Sequence, residues 1–132
     1  MGLAGYLVVF LGAGLGGALR HGVNMLAARM LGTGFPSGTL AVNVVGSFAM
    51  GFLAGYWALK SGLSQPLRLF LTTGMLGGFT TFSAFSLDAA LLWEEGRPAV
   101  AGLYVAASVA GAVAALFLGL WLVRTLVAPP PG

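Results

Sequence analysis

Four apolar runs, at about 3–28, 38–59, 67–92 and 99–127, are separated by three short polar connections: 31–38 (LGTGFPSG), 60–66 (KSGLSQP) and 94–98 (EEGRP). Each run exceeds the ~20 residues that carry a helix across a bilayer, and the first leaves room for tilt. None alternates in the manner of a barrel strand, and hydrocarbon offers no water to free amides. The pattern therefore predicts an all-α membrane protein, a single transmembrane domain over 1–132 with four transmembrane helices. Pro36, Pro66 and Pro98 each fall near the start of a predicted helix, where a missing N–H is no loss. The tail at 128–132 (APPPG) cannot extend a helix and is expected to be disordered. Residues 1–10 hold no Lys or Arg, which argues against the first run being a signal peptide.

Polar residues interrupt the runs at helical spacing. Thr39, Asn43 and Ser47 stand at i, i+4 and i+8 on one face of the second helix. An amide without partners in hydrocarbon costs several kcal/mol, so this face should meet protein or a polar pathway rather than lipid, as interhelical hydrogen-bonding glue or as pathway lining. Tyr104 and Ser108 form a shorter line on the fourth helix, and Arg20 shares a face of the first with Asn24. Arg20 either snorkels to the interface or faces a water-filled mouth that draws in anions.

The third run carries GMLGGFTTFSAFS at 74–86. Gly74, Gly77 and Gly78 weaken a helix within about one turn, and the hydroxyls of Thr80, Thr81 and Ser83 compete for its backbone, so a break near the middle of the span is expected. Unwound carbonyls at membrane depth commonly hold alkali cations; a two-fold dimer would bring about two from each copy into one cage. Phe79, Phe82 and Phe85, at i, i+3 and i+6, read either as a packing stripe or as ring edges lining an anion path.

Composition narrows the function. Of 132 residues, 58% are hydrophobic and 7% charged, far from soluble composition. There is no cysteine, one histidine (His21) and three acids (Asp88, Glu94, Glu95), so no triad, thiolate site or metal-ligand cluster can be assembled within one chain, and catalysis is not expected. Gly12, Gly14 and Gly17 satisfy G-x-G-x-x-G, but the first acid anywhere is Asp88, so the match reflects glycine-rich packing. Gly12 with Gly16, Gly51 with Gly55, and Gly74 with Gly78 are small-xxx-small pairs, and Ala107, Gly111, Ala115 and Gly119 form a small stripe on the fourth helix. The six basic residues form no run suited to nucleic acid; membrane lipid is their expected partner.

Those charges also bear on topology. Lys60, Arg68 and Arg124 fall on one side of the predicted bundle and Arg20, Arg29 and Arg97 on the other. A tie removes the usual Lys/Arg bias of cytoplasmic loops, so insertion in both orientations, and an antiparallel homodimer, is a natural expectation; accidental balance in a fixed topology is the alternative.

The motifs GGALR (16–20), GTLAVNVVGS (38–47), TTGMLGGFTTFSAFS (72–86) and EGR (95–97), in this order and spacing, resemble the CrcB/Fluc fluoride channels over most of the chain. The resemblance implies an antiparallel dual-topology homodimer with two pores in a prokaryotic-type cell membrane, passing fluoride passively out of the cytoplasm and relieving its toxicity. Carried over by position, Asn43 would be the pore amide, Phe82 and Phe85 the ring pair, and Thr81 and Ser83, with Thr39 and Ser47, parts of the fluoride pathway. Tyr104 and Ser108 would line the route and Arg20 would stand at the vestibule. Gly77 and Thr80 would offer carbonyls to a structural, non-transported sodium ion. Ala112 departs from the pattern, replacing a hydroxyl that some members carry. A dual-topology multidrug-type antiporter shares the size and charge balance, but it requires an intramembrane carboxylate, and the first helix has none.

Overall fold

The computed structural model describes residues 2–60, 62 and 64–127; the expected tail at 128–132 lies outside them. Its helices are α1 (Gly2–Leu31), α2 (Ser37–Leu59), α3 (Gln65–Leu69), a π-helical segment (Phe70–Leu76), α4 (Gly77–Phe79), α5 (Phe82–Glu94) and α6 (Pro98–Val127). Grouped by span, α1, α2, the run Gln65–Glu94 and α6 are four helices long and apolar enough to cross a membrane.

Local chemistry sets the ends. Gly32, at φ +77°, stops α1 with its N–H on the Ala28 carbonyl. Pro36 immediately precedes α2, and Pro98 opens α6. Ser64 caps α3 by accepting from the Leu67 N–H at 3.3 Å, just ahead of Pro66. After α5, Gly96 at φ +77° donates to the Trp93 carbonyl and Arg97 to the Leu92 carbonyl, the paired bonds of a Schellman turn.

Small residues set the packing. α2 packs along α6, and α1 along the π segment and α4. A Cβ at Gly16 would collide with the Met75 carbonyl, and one at Gly78 with that of Ala13. In the other seam, Gly51 lies on the Leu116 carbonyl and Gly119 on that of Phe48. These backbones touch because no side chain stands between them, as expected where lipid removes the hydrophobic drive for helix association. Large apolar side chains instead face outward, among them Leu7, Phe10, Phe117 and Trp121. The G-x-G-x-x-G match lies within continuous α1 and makes no loop.

The third span departs from regular helix twice. The π segment was not anticipated: the Gly77 N–H reaches the carbonyl of Thr72, five residues back. The break follows at Thr80 (φ −84°, ψ 159°) and Thr81 (φ −153°, ψ 121°), both extended. The glycine half of the expected cause needs correction, because Gly74, Gly77 and Gly78 remain helical, and Gly74 and Gly78 serve, as their small-xxx-small spacing suggested, as the contact surface for α1. The two threonines make the break. It also divides the expected aromatic stripe: Phe79 closes α4, with its ring near Gly46, while Phe82 and Phe85 belong to α5.

Candidate functional site

The break is held open by one side chain. Asn43 Oδ1 accepts from the Thr81 N–H at 2.8 Å, and Asn43 Nδ2 donates to the Thr81 carbonyl at 2.9 Å. A primary amide matches an extended peptide group in this way, donor to acceptor and acceptor to donor. Thr81 then caps α5, its Oγ1 accepting from the Ala84 N–H at 3.1 Å and lying 3.4 Å from Ser83 Oγ. Thr80 Oγ1 donates to the Leu76 carbonyl at 2.9 Å and closes the end of α4.

These bonds redirect backbone donors and leave carbonyls behind. The Thr81 N–H would serve the Gly77 carbonyl in a continuous helix, and the Ala84 N–H would serve that of Thr80; they go instead to Asn43 and to Thr81 Oγ1. Gly77 is exposed on the surface of the single chain and Thr80 is half-buried.

Beside the break lies an inner cavity of about 300 Å³ whose polar lining comes from Asn43, Ser47, Thr80, Thr81 and Ser108. Phe82, Phe85 and apolar residues of α6 complete it, Ala112 among them, and none of its lining residues is charged. Ser108 is buried, and its hydroxyl has no hydrogen-bond partner. One hydrogen of the Asn43 amide is likewise left over from the Thr81 pair. Phe82 and Phe85 stand 5.5 Å apart at 54°, Phe82 exposed and Phe85 buried.

An outer cavity of about 380 Å³ opens at the connections, lined in part by Asn24, Phe35, Thr39, Asp88 and Glu95. Thr39, one turn before Asn43, thus belongs to the outer cavity, while Asn43 and Ser47 belong to the inner. Between them sits Tyr104, fully buried, its ring 5.3 Å from Phe85 and 5.5 Å from Phe35. Its hydroxyl donates to Asp88 Oδ2 at 3.1 Å. Tyr104 therefore walls the space rather than lining either cavity. Arg20 is half-buried on α1 and lines neither cavity.

Sequence reasoning gave Asp88 no role, because its partner Tyr104 lies 16 residues away on another helix and no spacing rule links them. Phe35, given no role within the 31–38 connection, supplies an edge-on ring to Tyr104 at 89°. Among the described residues no group of three or more His, Cys, Asp or Glu side chains could hold a metal. The ligands on offer to a cation at the break are neutral oxygens, from carbonyls, hydroxyls and the Asn43 amide.

Residues 7–120 match the model of a family described as CrcB-like protein, Camphor Resistance (CrcB). The chain is similar to the fluoride-specific ion channel FluC of Rhodopseudomonas palustris (strain BisB5), 60% identical over 121 residues that cover 92% of this chain and 98% of that one. The fluoride-specific ion channel FluC 2 of Nitrobacter hamburgensis is 58% identical over 92% of this chain and 98% of its own. For the FluC of Methylobacterium sp. (strain 4-46) the values are 61%, 89% and 94%.

Proposed function

The chain belongs to the CrcB-like (camphor resistance) family, and on that premise we propose that it is a fluoride channel, not an enzyme, giving passive efflux of fluoride from the cytoplasm. One observation carries the reading most directly. The inner cavity offers donors without fixed charge: the spare Asn43 N–H and the unpartnered Ser108 hydroxyl, beside Ser47, Thr81 and the rings of Phe82 and Phe85.

Fluoride holds its water strongly, so a pathway must replace that water by other donors, yet a buried cationic side chain would trap the ion. Amide, hydroxyl and ring-edge donors meet both requirements. Along α2, Thr39 in the outer cavity and Asn43 and Ser47 in the inner one offer the anion polar groups on either side of Tyr104. Tyr104 and Phe85 stand between the outer and inner spaces and set the width of the passage. Ser83 and the hydroxyl of Thr81 extend the polar face on α5, and Arg20 contributes positive potential on the approach.

The working unit is an antiparallel dual-topology homodimer in the cell membrane, with lipid on its outer faces. The balanced charges and the exposure of Phe82 and Gly77 support it: a partner copy would cover both. The carbonyls of Gly77 and Thr80, deprived of their ladder partners, fit a hard monovalent cation such as sodium. A bound sodium ion would supply fixed positive potential between the subunits.

The test is fluoride-electrode efflux from liposomes containing only this protein, with chloride as control. Rapid fluoride flux without chloride flux is expected. Absence of fluoride flux, or proton-coupled uptake of a cationic dye, would overturn the channel reading in favour of no transport or of the antiporter.

A further inference from the structure

We propose that Arg97 is a positioning residue for the outer cavity: its guanidinium straps the α1–α2 connection to the start of α6 and so holds Phe35 against Tyr104. The consequence for transport rests on the fluoride-pathway reading; the strap itself does not.

Arg97 Nη1 donates to the Gly34 carbonyl at 2.6 Å, across 63 positions of sequence. Among the described residues it makes the only hydrogen bond that ties the connection at 32–36 to a distant part of the chain; the backbone bonds there, Gly32 to Ala28 and Ser37 to Phe35, are local. The arginine is itself well anchored. Its N–H closes the Schellman turn on Leu92, and its carbonyl receives the Ala101 N–H at 3.0 Å. Glu95, 3.9 Å away and 58% exposed, adds little, since exposed ion pairs contribute at most about 1 kcal/mol.

Gly34 is covalently next to Phe35, whose ring stands edge-on to Tyr104, whose hydroxyl in turn reaches Asp88. Gly34, Phe35 and Asp88 all line the outer cavity. The strap, the ring and the tyrosine thus form one mechanical line from the surface to the wall between the two cavities. A free arginine at an anion's entrance would act by charge at long range. This one has its guanidinium committed to a carbonyl, so its effect should pass through Phe35.

The experiment compares Arg97→Ala, Phe35→Leu and the double variant for fluoride efflux from proteoliposomes, and follows backbone hydrogen exchange over 32–37. Each single variant should lower maximal flux on the order of tenfold, as expected when a charge-assisted bond or the ring it holds is lost, and the double variant should lose no more than either. Exchange at Gly32 and Ser37, the bonded amides of this connection, should accelerate at least about tenfold in Arg97→Ala, whether or not fluoride is carried. Arg97→Lys should recover only part of the flux, because lysine lacks the planar fork.

Additive losses in the double variant, or unchanged exchange at Gly32 and Ser37, would overturn the strap. So would a loss seen only at low fluoride that salt abolishes and lysine fully restores, which marks electrostatic steering. No fluoride flux in the wild-type protein, together with the exchange response in Arg97→Ala, would refute the channel reading and leave the strap standing.

Discussion

Replacing Asn43 by aspartate changes one atom's chemistry at the centre of the site. The charged carboxylate can still accept from the Thr81 N–H, now 2.8 Å from Asn43 Oδ1, but its other oxygen would face the Thr81 carbonyl where Nδ2 now donates at 2.9 Å. A half-buried carbonyl that loses its donor costs about 1–3 kcal/mol. The new charge acts on the ion as well. At an effective dielectric of about 20, two negative charges about 6 Å apart repel by roughly 3 kcal/mol, or about 100-fold in occupancy. Fluoride-electrode efflux from Asn43→Asp proteoliposomes should therefore fall at least about 100-fold, and the thermal midpoint should drop with it. Asn43→Leu, which breaks both bonds without adding charge, should retain more flux than the aspartate variant. Aspartate flux within about threefold of wild type would refute the reasoning, and equal loss in both variants would refute its electrostatic half.

The rings should separate function from stability. Phe82→Ile, at a position exposed in the single chain, should abolish flux with little change in the stability of the subunit fold; Phe85→Ala, buried against Tyr104, should lose both, at about 3 kcal/mol or more by chemical denaturation in detergent. Ser108→Ala removes a hydroxyl that bonds nothing in the fold, so the melting midpoint should hold or rise while efflux falls on the order of tenfold; unchanged flux would remove Ser108 from the pathway. Gly16→Val places side-chain atoms on the Met75 carbonyl and should prevent recovery of folded protein in size-exclusion chromatography, whereas Gly17→Ala, with open space around it, should elute as wild type.

The spans were legible because their signal is additive: each run averages hydropathy over more than 18 residues, and one misplaced residue changes little. Small-xxx-small spacing likewise named the seam glycines, Gly12 with Gly16 and Gly51 with Gly55, though not their partners. The cause of the break was legible only in part: the threonine hydroxyls were named, and Gly74 with Gly78 as a packing pair, but the glycines were also counted as helix breakers. Gly74 and Gly78 look like helix breakers to a propensity scale, yet against α1 they are the residues that allow close approach, and tertiary packing overrides propensity. The π segment has no compositional signature. The Tyr104–Asp88 and Arg97–Gly34 bonds were invisible for a simpler reason, since each joins elements whose relative placement no local period encodes.

A helix break ordinarily frees donors and acceptors together, but here the two are treated unequally. The Thr80 N–H goes to Leu76, the Thr81 N–H to Asn43 and the Ala84 N–H to Thr81 Oγ1, whereas the carbonyls of Gly77 and Thr80 lose their ladder partners. Those two carbonyls would suit a cation, while the side-chain donors around the inner cavity would suit an anion. Asn43 belongs to both sets, because its oxygen is what keeps the Thr81 N–H away from the Gly77 carbonyl. In Asn43→Leu that N–H is free to return to the carbonyl and heal the helix. Replacing sodium by a large organic cation should thus lower the thermal midpoint of the wild-type protein, by an amount equivalent to about 2.7 kcal/mol if sodium was present at 100 times its dissociation constant. The same exchange should leave Asn43→Leu almost unaffected. A sodium effect of equal size in both proteins would show that the Gly77 carbonyl and the Asn43 amide are not coupled, and no sodium effect in either would exclude the break as a cation site.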